Sequence, residues 1–430
     1  MAESLASLGT YEEYPTALAA RIVSRFDLPR PMEAHEFREK GNINQQTFLI
    51  QAGSSTPPHE FLLQKINQQV FTRPRQVMQS MIACLDAQRK SLEQHPRPGG
   101  RDWEPITLMP THAGDFYFDS SEGRGDDIWR VMRKISNCHT YKSLDALQSR
   151  QDQLATAEEA GRGLAIFGDL TAELDVLGLA NPLPGYRDTA TYFSQLHSVL
   201  SGSRSLESAE SFLPEDPTLR HSTEQHFIIH LTEDEFSRRV NLPEVQAAVE
   251  LLKENENHAM TLIRQMESGR IRTVAIHGDT KLDNFLFDDG TRQVRALIDL
   301  DTIMPHSWLA DWGDMVRSLC NVAGEKTRNL NSVQVDIEVY EALCRGFLTT
   351  AQRITPAEIE LMTDAVEIIS MELGLRFLTD YLRGNSYFRL TPTDSPDLNK
   401  VRGLVQLRLF EELRRKQDVT RECVHKFLQA

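Results

Sequence analysis

The alternation of apolar and polar positions changes character about a third of the way along the chain. Before that point period-two stretches dominate, and they predict strands. Residues 37–51 and 60–67 alternate in this way, with a polar turn at 52–59 that contains Pro57-Pro58. Residues 106–109, 115–118 and 129–135 are further strand candidates, and a Gly/Asp-rich loop spans 120–127. Two stretches of helical spacing, 14–26 and 77–89, accompany them. From Leu144 onward the period becomes helical, over 147–177, 189–200, 245–267, 337–351, 356–381 and 399–413, with a polar loop at 201–215. One strand-rich island interrupts this half. It comprises residues 274–276, 285–287 and 294–300, and Asp288-Asp289-Gly290 marks the hairpin turn. Strands and helices are segregated instead of alternating, which predicts an α+β fold, not a doubly wound sheet. The chain has 430 residues, too many for one ordinary core. Two lobes are predicted, with a cleft between them.

The island also carries the chemistry. His277-Gly278-Asp279-Thr280-Lys281-Leu282-Asp283-Asn284 is followed by Ile298-Asp299-Leu300-Asp301-Thr302. Such a set suits phosphoryl transfer. Asp279 orients or deprotonates a hydroxyl, and Lys281 sits as a point charge near the γ-phosphoryl group. Asn284 and Asp299 offer oxygen ligands to a hard cation, Mg2+, which takes one or two protein groups plus phosphate oxygens. Asp279 lies five residues before Asn284, so one compact loop aims both into one site. His277 is expected to brace the loop, and Gly278 to give the backbone a tight path. A plain polar hairpin would not need acidic and amide residues at the mouths of both strands.

These motifs resemble the kinase-like small-molecule phosphotransferases, the aminoglycoside phosphotransferase and choline kinase superfamily. Within it, the segment is most similar to the N-acetylhexosamine 1-kinases. Those share the H-x-D-T-K-x-x-N loop, the I-D-L-D-T strand and a D-x-G-D-x-x-R helix start, here Asp311 to Arg317. The likeness extends upstream through Gly41-Asn42-Ile43-Asn44, Leu63-Gln64-Lys65-Ile66-Asn67 and Val70-Phe71. Downstream it includes Arg376-Phe377-Leu378-Thr379-Asp380-Tyr381-Leu382, Gly384 and Tyr387-Phe388. It implies a two-lobed protein-kinase-like fold: an N-terminal helical extension at 1–30, a strand-rich nucleotide-binding lobe at 31–137 and a helical lobe at 138–430. It also implies ATP and Mg2+ as cofactors.

On the nucleotide side, the turn 40–47 would cover the phosphates, with Asn42 and Asn44 as polar contacts. Gln64 and Lys65 point to opposite faces of their strand, so only one faces the phosphates. Alignment with related strands favours Gln64, and the helix at 77–89 offers no glutamate to pair with Lys65. The adenine would be read by backbone groups near 132–137. On the acceptor side the resemblance points to Arg376, Asp380, Tyr387 and Arg187. The last replaces a histidine of the related Phe-His-Asn/Asp-Thr pattern. The implied activity is ATP-dependent phosphorylation of a sugar hydroxyl, the anomeric hydroxyl of an N-acetylhexosamine first. The alternatives are another small hydroxylated acceptor (an aminoglycoside, a choline-like alcohol or an amino acid) and a nucleotide-binding pseudokinase. Retention of Asp279, Asn284 and Asp299 together weighs against the last.

Composition narrows the partners. Formal net charge is -15, against nucleic-acid binding, which requires phosphate neutralisation by Lys and Arg. Five scattered cysteines without C-x-x-C spacing predict reduced thiols in a cytoplasmic protein. No basic-then-apolar leader opens the chain, and no apolar run approaches the length of a membrane span.

Overall fold

A computed structural model describes residues 15–37, 44, 46–120 and 127–428. The chain divides into two compact units, Met1–Met78 with Ile106–Ser136, and Gln79–Pro105 with Asn137–Ala430.

The first unit is built on a five-stranded antiparallel sheet. Its strands are β1 (Met32–Glu36), β2 (Thr47–Ala52), β3 (His59–Lys65), β4 (Phe118–Asp119) and β5 (Ile128–Arg133), in the order β1-β2-β3-β5-β4. Alternation places Phe61 and Leu63 of β3 on one face with Phe48, Ile50, Trp129 and Val131. The helix Pro15–Val23 covers that face with Ala19, Ile22 and Val23. Gln64 and Lys65 therefore lie on opposite sides.

Several boundaries differ from the periodicity. The expected strand at 37–51 is shorter, and its antiparallel partner, β1, is the polar segment MEAHE. Residues 38–43 and 45, which include Asn42, lie outside the described residues. Residues 106–109 make only an isolated bridge, Leu108 to Met132. Pro105 and Pro110 bracket them and remove two ladder donors. The helix expected at 77–89 runs from Pro74 to Gln94, because Pro74 suits a first helical turn.

The second unit is helical and centres on Met362–Arg383. That helix is buried nearly all round, packed by Leu398–Arg415, Trp308–Cys320 and Thr189–Leu200. Met371, Leu375, Leu378 and Leu382 join Leu196, Val199, Leu252, Leu407 and Phe410 in the main apolar cluster. The helices Arg150–Thr171 and Ile337–Leu348 pack at glycines. A Cβ on Gly346 would lie 1.9 Å from the Glu158 carbonyl oxygen, and one on Gly161 2.4 Å from that of Leu343. Two expected helices are interrupted. Residues 245–267 break at Met260, and 356–381 break at Leu361 after a short turn capped by Thr355 and Glu358.

Two small antiparallel sheets carry the island. β6 (Cys138–His139), β8 (Phe285–Asp288) and β9 (Val294–Leu297) form one, and β7 (Val274–Ile276) pairs with β10 (Met304–His306). The strand expected to reach residue 300 stops at Leu297. Asp299 sits in the left-handed region at φ 63° and opens a short 3-10 turn. No described helix is long and apolar enough to cross a membrane.

Candidate active site

The segment after β7 is held by its backbone. The Asp311 carboxylate accepts the His277 N–H at 2.6 Å and the Gly278 N–H at 2.7 Å. Thr302 Oγ1 donates to the His277 carbonyl at 2.6 Å, and Thr280 Oγ1 to the Asp311 carbonyl at 2.6 Å. Gly278 takes φ +84°, and a Cβ there would meet the Thr302 carbonyl oxygen at 2.8 Å, so glycine is required. The Asp279 N–H donates to His277 Nδ1 at 3.2 Å, leaving Nε2–H to donate to the Ile298 carbonyl at 2.8 Å. His277 is therefore a brace inside the protein, as its motif position implied. Burial raises the Asp311 carboxyl, while its bonds to this backbone work the other way.

Asp279, Lys281 and Asn284 come together on this loop. Lys281 Nζ lies 3.0 Å from Asp279 Oδ2, and Asn284 Nδ2 donates to the Asp279 carbonyl at 2.7 Å and to Oδ2 at 3.2 Å. Asp279 keeps about a third of its side chain open. Burial opposes the charge on Lys281, but Asp279, Asp283 and Asp299 outweigh it and push the ammonium above its usual range. The Ile298 N–H donates to the Asn284 carbonyl at 2.9 Å, so Asp299 follows directly on a residue tied to Asn284. With its NH2 group spent on Asp279, the Asn284 amide has its oxygen left for another partner. The Asn284 amide oxygen and the Asp299 carboxylate are hard-oxygen donors of the kind Mg2+ takes, so the residues present fit that ion.

A second set of residues packs behind the loop. Tyr186 Oη donates to the Gly278 carbonyl at 2.7 Å, and Arg187 NH2 donates to the same oxygen at 3.2 Å. Arg187 is 3% exposed and takes φ 60°. It pairs with Asp314 at 3.2 Å and Glu372 at 3.3 Å, and Glu372 also accepts from Thr189 at 2.8 Å. Asp314 accepts the Thr280 N–H at 3.2 Å. Burial would raise its carboxyl, but Arg317 and Arg187 hold it far below the ordinary range.

Arg376 lies among four aromatic rings. Its guanidinium carbon is 5.0 Å from the centre of Tyr186, 4.9 Å from Tyr192, 5.5 Å from Tyr387 and 5.3 Å from Phe388. It donates weakly to Tyr387 Oη at 3.4 Å, and among the described residues it forms no ion pair. Asp380 is turned inward instead. Its carboxylate accepts from the Tyr387 and Phe388 N–H groups and from Arg383 Nε, each at 2.9 Å, and from Asn399 at 3.2 Å. Those bonds shape the turn that presents Tyr387, and leave Asp380 itself no open face.

In the strand-rich unit Gln64 is 4% exposed and Asn44 is 1% exposed. Lys65 is paired with Asp127 at 2.8 Å on the face of Trp129. Sequence reading gave no role to Arg130, which is 1% exposed and meets the Gln64 amide. It also gave none to Asp311, Asp314 and Thr302 beyond marking a motif. The D-x-G-D spacing could have signalled the first two, since it sets both carboxylates on one helix face.

Residues 36–354 match the profile of the phosphotransferase enzyme family, and the chain belongs to that family. Among solved structures it is similar to a microcompartment-associated aminopropanol kinase, with 15% identity and a TM-score of 0.54 over 94% of this chain and 98% of that one. A Plasmodium vivax ethanolamine kinase gives 10% identity and a TM-score of 0.44, covering 86% and 80%. A choline kinase from Streptococcus pneumoniae gives 11% and 0.43, covering 93% and 98%. The family match and the first of these structures give the kinase-like α+β fold, with a strand-rich N-terminal part and a helical C-terminal part.

Proposed function

We propose that the protein is an ATP-dependent kinase of a small, uncharged polyhydroxylated molecule, and that an N-acetylhexosamine, phosphorylated at its anomeric hydroxyl, is the acceptor to test first. Asp279 accepts the hydroxyl proton as the oxygen attacks the γ-phosphorus in line, and Lys281 balances charge on the transferring group. Asn284 and Asp299 would hold Mg2+, which when bound neutralises phosphate charge and orients the leaving group. Positioning and preset electrostatics supply most of the acceleration, which suits a loop tied at His277, Gly278, Asp279 and Thr280.

The observation that carries the acceptor class is the arginine in its aromatic cage. Tyr186 contacts both the Arg376 guanidinium and the carbonyl of Gly278, the residue before Asp279. A cation therefore stands next to the catalytic loop, with phenols around it. Guanidinium N–H groups and aromatic faces suit sugar hydroxyls and an amide carbonyl. The guanidinium repels an ammonium and already occupies the aromatic faces that would otherwise attract one, so choline-like alcohols and aminoglycosides are disfavoured. A panel of N-acetylhexosamines, hexoses, choline and aminoglycosides, read by ADP release, tests this. Turnover of neutral sugars with none for the amines is the expected result, and Arg376→Met should raise the acceptor KM while leaving that for ATP unchanged. Preferential turnover of choline or an aminoglycoside would overturn it.

A further inference from the structure

Two carboxylates and an imidazole meet at the start of the central helix of the helical unit, the opposite end from Asp380. Asp364 and Glu367 are three residues apart near the beginning of Met362–Arg383, a spacing that puts both on one face. His258 lies in the last turn of Pro243–Ala259, which packs against that helix. The ligand-capable atoms of the three side chains lie within 4.8 Å of one another. That is close to the span of groups sharing one ion at about 2.0–2.2 Å. Gln417 Nε2 donates to Asp364 Oδ1 at 3.2 Å, and the His258 ring centre is 6.3 Å from that of Phe410, so neighbours hold both side chains. Glu367 is the anomaly. It is 0% exposed, and neither carboxylate oxygen has a hydrogen-bond partner among the described residues. His258 Nε2 stands 3.1 Å from Oε2, yet it too makes no hydrogen bond. The Arg414 guanidinium is 3.6 Å from the same oxygen, and its side chain is 43% exposed. Glu367 thus has two loose ion contacts and no bond, a costly state for a carboxylate withdrawn from water.

From this arrangement we propose that His258, Asp364 and Glu367 bind one divalent transition-metal ion of the Zn2+ class. The inference does not depend on the kinase reading. An imidazole nitrogen and a carboxylate oxygen this close without a hydrogen bond are spaced as two ligands of one ion. An imidazole with two carboxylates suits Zn2+, whereas Mg2+ takes oxygen ligands. Three protein groups leave a coordination position for water. His258 and Asp364 are only partly buried, so the ion enters from their side and Glu367 closes the inner end. The bound ion joins Pro243–Ala259 to Met362–Arg383 beside the apolar cluster that already links them through Val245, Leu252, Met371 and Leu375. Its effect is therefore on stability, not on the chemistry at Asp279. Arg414 acts as a competing cation.

Calorimetric titration of the chelator-treated full chain with Zn2+, together with thermal melting, tests the proposal. One equivalent should bind and raise the melting temperature, and an excess of Mg2+ should not displace it. His258→Gln and Asp364→Asn, both at partly exposed positions, should each weaken that binding about tenfold or more. Their metal-free melting temperatures should stay close to that of the unaltered protein, which separates lost ligation from a lost fold. Arg414→Gln removes the competing cation and should tighten binding. Two results would overturn the proposal. One is the absence of saturable Zn2+ binding and of any rise in melting temperature, which would leave the three groups as an ion cluster only. The other is binding that either ligand variant keeps at full strength, which would put the ion elsewhere, on the cysteines for instance.

Discussion

Asp279 is bounded on three sides: Lys281 at 3.0 Å, the Asn284 amide at 3.2 Å and, through its own N–H, the buried His277 ring. Its second oxygen and the open part of its side chain remain for a substrate. Asp279→Asn keeps the shape and removes the proposed proton acceptor. Turnover should fall by roughly a hundredfold or more, with little change in nucleotide affinity, as measured by steady-state kinetics on an active acceptor. Near-normal turnover would move the base elsewhere. Asp299 sits at φ 63°, on the residue after the one bonded to Asn284. Asp299→Ala should abolish the strengthening of nucleotide binding by Mg2+, since one of the two proposed oxygen ligands is lost. Titrations with and without Mg2+ decide this; an unchanged difference would transfer the role to Asp301, which is 2% exposed.

At the scale of elements, what was legible was local. The loop from His277 to Asn284 spans eight residues, so its spacing alone brings Asp279, Lys281 and Asn284 together. The period change from two to 3.6 separated the strand-rich part from the helical one. What was hidden depends on partners far apart in the chain. Gln64 meets Arg130 across 66 positions and Arg187 meets Glu372 across 185, and no local pattern announces such a pair. Asp380 shows the converse. It stands four residues after Arg376 on one helix, a spacing that puts both on one face, yet two backbone N–H groups of the following turn draw its carboxylate inward. Helix breaks at Met260 and Leu361 were likewise invisible, since apolar spacing continues across both. Close helix packing gives the prediction at this scale. A methyl on Gly346 would collide with backbone, not with a flexible side chain, so the helices Arg150–Thr171 and Ile337–Leu348 must separate to admit it. Gly346→Ala should cost about 1–3 kcal/mol or more, despite alanine's better helix propensity, and chemical denaturation measures it. Unchanged stability would mean that the two helices part easily.

At the scale of the whole molecule, pH enters through two partly buried groups that act in opposite directions. His226 packs edge-on against Tyr387, and burial, followed by the nearby Arg383 and Arg376, lowers it from 6.5 to about 3. The unfolded chain therefore binds this proton from about pH 6.5 downward while the folded chain does not. Stability falls as pH drops through that window, by up to about 1.4 kcal/mol per pH unit. Asp169 does the reverse. Burial lifts its carboxyl from 3.8 to about 6, against the Gln352 and Arg353 N–H bonds it accepts. Between those values the folded chain binds more protons than the unfolded one, so stability rises as pH falls from 6 and is lost as pH climbs through 6. The two slopes overlap between pH 3.8 and about 6 and partly cancel there. Melting temperature of the unaltered protein should therefore change less from pH 6 to pH 5 than that of either variant. His226→Gln should leave the Asp169 rise uncovered, and Asp169→Asn should leave the His226 fall. Parallel melting profiles for all three proteins across pH 5–6.5 would show that neither group titrates as its burial requires.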